Sequence, residues 1–334
     1  MRIYKKLSLL LLALCLLFAA ACAQEPAGTD SQTADKDLTI VLDWTPNTNH
    51  TGIYVAQELG YFAAEGLKVH ILQPPEDGAD MTVATGQAQF GVSFQETLGA
   101  ALAAENPLPI TAVAAVLEHN TSGMISLSEK NITSFGDLAG HTYASWNTPS
   151  EREIINECME AEGSSYEQLN TVPNSGADAL SLMQTDDVDV VWVYEGWDVV
   201  MAQLSGLEYN FIRFADAAPV LDFYTPVIVA NNEFLAAEPE TVRAFLSALA
   251  QGYEYAIANP QEAAEILCRA VPELDEELVA ASQEYMKDQY KAEKAVWGLI
   301  DEERWTDFYD WMYENGLLRQ ELGSAGFSND YLPK

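Results

Sequence analysis

Hydrophobic positions along this chain keep two alternating rhythms. Short apolar runs are followed by stretches in which apolar residues recur every three or four positions. The first pass gives LTIVLDW (38–44) before a helix over 52–63, and LKVHIL (67–72) before a short helix near Asp80–Thr85. QFGVSF (89–94) then precedes ETLGAALAAE, and PITAVAAVLE (109–118) follows. A second pass gives HTYASW (141–146) before a helix at 151–162, and LNTV (169–172) before ADALSLMQ. DVDVVWVYEG (187–196) leads into WDVVMAQL, and EYNFIRF (208–214) ends the pass. Alternation of this kind predicts mainly parallel sheets with helices on both faces. DFYTPVIVANN (222–232) reads as a strand returning to the first sheet.

The C-terminal third reads as helical. In PETVRAFLSALAQGYEYAI, Val242, Phe245, Leu246, Leu249 and Tyr253 share one face, and Pro239 suits the first turn. NPQEAAEIL restarts a helix with Asn259 as cap and Pro260 at the first position. EERWTDFYDWMYENGLL stops at Asn315-Gly316, a C-terminal signal. The predicted organisation is two α/β lobes. Residues 38–125 with 226–334 make the first and 126–225 the second, with crossovers near 123–128 and 224–229 as a hinge. A discontinuous pair of lobes predicts a protein that closes on a small molecule.

The N-terminus adds an address. Arg2, Lys5 and Lys6 precede LSLLLLALCLLFAAA, a run too short and too terminal to favour a spanning helix. It ends at AAAC, so residues 1–22 read as a lipoprotein signal in which Cys22 becomes the lipid-bearing N-terminus. Ala19 stands where such sites usually carry Leu, which leaves plain secretory cleavage as the alternative. Residues 23–37, small and polar, read as a flexible tether. Localisation is then the outer face of the cytoplasmic membrane.

Charge narrows the partners. The 334 residues carry 16 Lys and Arg against 51 Asp and Glu, a net charge of −35. Cleavage removes three basic and no acidic residues, leaving 13 against 51 and a net charge of −38. Such a surface repels phosphate backbones, so nucleic acid is not a partner. Cys15 and Cys22 belong to the leader; Cys158 and Cys268 read as two separate thiols. The spacing of Cys and His offers no metal site.

LDWTPNTNHTGIYVAQELGYFAAEGLKVHIL, with GQAQFGVSFQETL, SFGDLAGHTYA and VIVANNEFL, resembles the solute-binding subunits of ABC importers in the thiamine-pyrimidine group. The match runs from about Leu38 to Leu318. It implies an α/β, type II periplasmic-binding-protein fold with two mixed-sheet lobes around a cleft. It also implies an ABC permease and ATPase as partners, a monomeric receptor and no cofactor. A fungal branch of the family, thiamine pyrimidine synthase, is an enzyme that consumes its own histidine and pyridoxal phosphate with iron. In that pattern a Lys and a His follow the glycine of the FGV-like strand. Here Gly91-Val92 is followed by Ser93, Phe94, Gln95 and Glu96, so a non-catalytic reading is preferred and the synthase remains the alternative.

Ligands of open α/β sheets sit at the carboxyl ends of strands. That rule selects Trp44, Asn47 and His50 in the elbow after the first strand. Trp44 offers a flat face to a heteroaromatic ring, and Asn47 both donates and accepts. The alternatives are that Trp44 plugs the core and that Asn47 and His50 only cap the next helix. Phe94 and Gln95 end the third strand, at a place that lines the cleft in related folds. Trp146 and Asn147 follow the first strand of the second lobe, where relatives present backbone N–H groups. Glu195 is expected to accept from an exocyclic amine, with Trp197 as a second aromatic wall and Asp198 as a helix cap. Tyr224 lies near the second crossover and serves either ligand or hinge. None of these loops carries Arg or Lys, which favours a neutral or weakly basic ring over an anion. The first expectation is therefore a thiamine-precursor pyrimidine, with riboflavin or an alkylsulfonate or nitrate-type solute as alternatives.

Overall fold

A computed structural model of the protein describes residues 35–185 and 187–333. The signal segment and nearly all of the tether lie outside the described residues. The tether, read as ending at 37, gives way earlier, because Lys36 and Asp37 already belong to strand β1. Among the described residues, no helix is long and apolar enough to cross a membrane.

Among the described residues, ten strands form two mixed five-stranded sheets. They are β1 (Lys36–Val41), β2 (Leu67–Leu72), β3 (Phe90–Ser93), β4 (Ile110–Ala115), β5 (Ser122–Leu127), β6 (Thr142–Ser145), β7 (Asn170–Pro173), β8 (Val190–Tyr194), β9 (Tyr209–Arg213) and β10 (Val227–Asn231). The first sheet has the order β2-β1-β3-β10-β4 and the second β7-β6-β8-β5-β9. Strand chemistry follows position. Central β3 and β10, FGVS and VIVAN, are buried throughout, as strands covered on both faces should be. Edge strand β2 alternates, with Leu67 and Val69 inside and Lys68 and His70 outside.

The crossovers differ from the sequence expectation. The sequence puts the first crossover near 123–128, but SGMISL (122–127) is β5, antiparallel to both β8 and β9. Its three small residues and lack of alternation hide it. The returning strand expected within DFYTPVIVANN is β10, antiparallel to β3 and β4, so the second crossover ends before Val227. The chain therefore passes between the sheets at 116–121 and again at 214–226. These segments lie side by side: Asn120 donates its amide N–H to Asp222 Oδ1 (2.9 Å) and its Nδ2 to Leu221 O (2.8 Å). Each also receives a strand end. Gln95 N–H bonds Tyr224 O (3.1 Å), and Glu195 N–H bonds Thr121 O (3.0 Å). The loops that end β3 and β8 are thus fastened to the two passages between the lobes.

One C-terminal helix, Glu276–Met286, touches both lobes. Ser282 Oγ lies 2.6 Å from Thr48 Oγ1 in the elbow after β1. The same hydroxyl donates to Gly196 O beyond β8. Cys158 lies buried in the helix Pro149–Ala161 and Cys268 in the helix Pro260–Ala270; both are free thiols.

Candidate functional site

The elbow after β1 is a single turn of 3₁₀ helix, Thr48–His50, that closes on itself. Asn47 Oδ1 accepts from Asn49 N–H (2.9 Å), and His50 Nδ1 accepts from Asn47 N–H (3.1 Å). This reciprocal cap fixes the tautomer of His50, whose Nε2–H then donates to Asp43 Oδ1 (2.6 Å). Asn47 Nδ2 donates to Thr45 O (3.2 Å). From behind, Tyr290 donates to Thr48 O (2.6 Å) and Tyr253 to Asn49 O (2.7 Å). Asn47 and His50, expected to face the solute, are therefore spent on the elbow itself. His50 is fully buried with both ring nitrogens bonded.

What this rigid turn presents is Trp44, 55% exposed at the end of β1. That exposure removes the core-plug alternative. Across the cleft stands Trp146, 52% exposed at the end of β6. The two rings meet edge to face, centroids 6.4 Å apart and planes at 77°. Trp146 is also held by its backbone. Glu151, a buried carboxylate, accepts from Trp146 N–H (3.0 Å), Thr148 N–H (3.2 Å) and Ser145 Oγ (3.1 Å). Asn147 N–H bonds Ser145 Oγ (2.9 Å), and its backbone turns with φ 59°. The backbone donors expected here for a solute are thus satisfied within the turn, and Asn147 is its exposed tip.

At the end of β8 the helix opens with a π turn, Glu195–Val199, a local form that recurs at functional sites. Asp198 Oδ2 accepts from Tyr194 N–H (3.2 Å), the capping role expected of it; burial pushes its carboxyl up to about 6. Glu195 is ion-paired with Arg213 at the end of β9, a residue the sequence reading missed. The register of β5, β8 and β9 brings the two together, and no local motif signals it. Arg213 Nε is buried without a partner, and the Tyr285 hydroxyl stands beside Glu195. Trp197 is not a second wall. It packs against the apolar cluster of Ala264, Leu267, Val271 and Val279, fastening the π turn to the C-terminal helices.

The end of β3 divides similarly. Gln95 is buried, bonding Trp305 O (3.0 Å) and Tyr224 N–H (2.8 Å), and has nothing left to offer. Tyr224 is fully buried and accepts from Asp301 N–H (2.8 Å) under the Arg304 guanidinium, so its place is the hinge. Phe94 is partly buried at the helix cap. Beside these, Asp80 Oδ1 and Glu96 Oε2 are buried without partners. Orphaned buried polar atoms are rare in folded proteins, and each calls for a partner such as a water, an ion or a ligand. Tyr194, from the other lobe, faces both Glu96 and Thr225.

The hinge gathers further charges. Glu118, His119 and Glu293 stand close enough to share a metal ion. Cations of the chain already serve them: Arg304 pairs with Glu118 and with Asp222 (3.0 Å). His119 Nδ1 lies 2.6 Å from Asp222 Oδ2, which, against its partial burial, pushes the imidazole up to about 9. The cluster reads as a hinge ion network. Surface hollows of about 440 Å³ (Ala104, Asn106, Arg319) and about 560 Å³ (Val220, Asp307, Trp311) lie away from these strand ends.

Two mixed sheets, two chain passages, and strand ends that face each other across a cleft are the architecture of a two-lobed solute-binding protein. The chain belongs to the NMT1/THI5-like family, whose model matches residues 47–263. It is 29% identical to the formylaminopyrimidine-binding protein of Halalkalibacterium halodurans, over 96% of this chain and 97% of that protein. It is 30% identical to the 4-amino-5-hydroxymethyl-2-methylpyrimidine phosphate synthase of Legionella pneumophila, over 71% of this chain and 74% of that one. Its fold matches the alkanesulfonate-binding protein SsuA of Xanthomonas axonopodis with a TM-score of 0.68 and 14% identity, over 87% of this chain and 98% of that one.

Proposed function

We propose that this chain is the extracytoplasmic, lipid-anchored receptor of an ABC importer and takes an amino-substituted pyrimidine of the thiamine-precursor type. The carrying observation is the pair Trp44 and Trp146, held by rigid turns on opposite lobes with half their surface free. Aromatic pairs of this kind supply about 0.5–1.5 kcal/mol beyond burial. The relative named for a formylaminopyrimidine spans nearly the whole chain and supports the ligand class. Arg213 brings a guanidinium to the site, but Glu195 already neutralises it, which disfavours a sulfonate or nitrate. Against the synthase reading, Ser93, Phe94, Gln95 and Glu96 stand where that branch needs a Lys and a His.

Calorimetry with 4-amino-5-hydroxymethyl-2-methylpyrimidine, thiamine, riboflavin and an alkylsulfonate tests the class. The aminopyrimidine is expected to bind tightest; binding of the sulfonate alone overturns the reading. Incubation with pyridoxal phosphate and iron is expected to give no aldimine absorbance, and its appearance would restore the enzyme. Cys22→Ala is expected to release the protein from membranes into the soluble fraction, and retention would remove the anchor.

Glu195→Gln keeps the shape and removes the charge. It is expected to weaken binding about tenfold, the value of one charged hydrogen bond, with stability falling by at most about 1 kcal/mol because the Arg213 pair is partly solvated. Unchanged affinity with a large drop in melting temperature would assign Glu195 to structure alone.

A further inference from the structure

We propose that Asp80 and Glu96 of the first lobe, with the Tyr194 hydroxyl of the second, form an acceptor pocket that receives the amino edge of the bound ring. The inference rests on the proposed aminopyrimidine reading and adds the group that selects for the amine. Three observations carry it. Asp80 Oδ1 and Glu96 Oε2 are buried with no hydrogen-bond partner, so one oxygen of each carboxylate lacks a donor. Thr225, 1% exposed, sets its hydroxyl within hydrogen-bonding reach of Tyr194, so the crossover borders the same pocket. Glu96 and Asp80 come from different elements, the helices Gln95–Leu102 and Gly78–Ala84, yet lie near enough for the Asp80 charge to raise Glu96.

The electrostatics agree with that geometry. Burial pushes the Glu96 carboxyl up to about 7; its own backbone N–H pulls down and the nearby Asp80 adds to the rise. Burial raises Asp80 as well, opposed by the Ser93 hydroxyl. The other titratable groups facing Glu96 are Tyr194 from the end of β8 and Tyr309 from the helix Glu302–Glu314, both held neutral by burial. Two such carboxyls cannot both ionise cheaply in an empty cleft. An entering amine changes this. It donates to the carboxylate form, pulls the Glu96 value down, and releases the proton that the empty site holds near neutrality. A ring with only acceptors on that edge meets two acceptors and is rejected.

The test compares 4-amino-5-hydroxymethyl-2-methylpyrimidine with its analogue lacking the amino group, in wild type and Glu96→Gln, by calorimetry in buffers of different ionisation enthalpy. Wild type is expected to prefer the amine at least tenfold and to release protons at pH 7. Glu96→Gln is expected to lose both. Equal discrimination in the two proteins overturns the pocket while leaving the aminopyrimidine reading standing. If wild type binds neither compound, that reading fails, and the unliganded protein still tests the pocket. A carboxyl raised in the folded state costs stability as pH climbs from its ordinary value through about 7. The melting temperature of wild type should therefore fall across that window, and Glu96→Gln should flatten the fall. An identical pH profile in both proteins overturns the buried carboxyl pair.

Discussion

Replacing Trp44 by alanine is expected to weaken binding of the aminopyrimidine ten- to a hundredfold, about 1–3 kcal/mol, and to leave folding almost untouched. The asymmetry follows from where the ring stands. Trp44 is 55% exposed at the end of β1, so its removal opens no cavity in the core. Exposed substitutions away from caps and networks stay within about 0.5 kcal/mol of wild type. A core tryptophan would instead cost about 3–5 kcal/mol of stability. Trp146→Ala is expected to behave in the same direction, because its backbone is held by Glu151 rather than by the indole. Affinity by calorimetry and melting temperature of the empty protein, measured on both variants, check the claim. Wild-type affinity in both removes the aromatic walls; a large loss of melting temperature in Trp44→Ala would return that residue to the core.

The fold was largely written in the chain's periodicity, and the site only partly. Strand positions such as LKVHIL were legible because edge strands alternate and central ones are uniformly apolar. SGMISL was not, since a strand carrying Ser122, Gly123 and Ser126 lacks either pattern. Loops at strand ends can be singled out from the sequence, but their side chains read there as facing outward. Asn47 and His50 are polar for a local reason. An elbow this tight must satisfy its own N–H groups, and they do so. Trp197 has the look of a wall and the work of a fastener, because the helices Pro260–Ala270 and Glu276–Met286 come back over it from far along the chain. Arg213, Asp80 and Glu96 are the converse case. Each is unremarkable in its own stretch and gains meaning only from the burial and register that tertiary structure imposes.

The stiffness behind the elbow has a stability consequence at two glycines. The helix Thr51–Glu58 packs on the helix Pro239–Ala258 at Gly52 and Gly252, where the Gly252 backbone meets Gly52 O and the Tyr253 ring covers Gly52. A Cβ on Gly252 would lie 2.1 Å from Gly52 O and 3.0 Å from Ala56 Cβ. Alanine within a helix ordinarily gains about 1 kcal/mol over glycine. Here the sign reverses, because the obstacle is backbone and has no flexible end to yield. Overpacking costs about 1–3 kcal/mol, and more where nothing gives. Gly252→Ala is therefore expected to lower stability by about 2–4 kcal/mol, which denaturant titration reads as an earlier midpoint at unchanged slope. The damage also reaches function. Tyr253, the next residue, stacks on Trp297 (4.2 Å) and donates to Asn49 O (2.7 Å). Parting the helices withdraws that hydroxyl from the turn that presents Trp44. Gly252→Ala should thus weaken solute binding along with stability, whereas Trp44→Ala weakens binding alone. A Gly252→Ala protein of wild-type stability would mean that the crossing has slack and that the elbow is positioned from elsewhere.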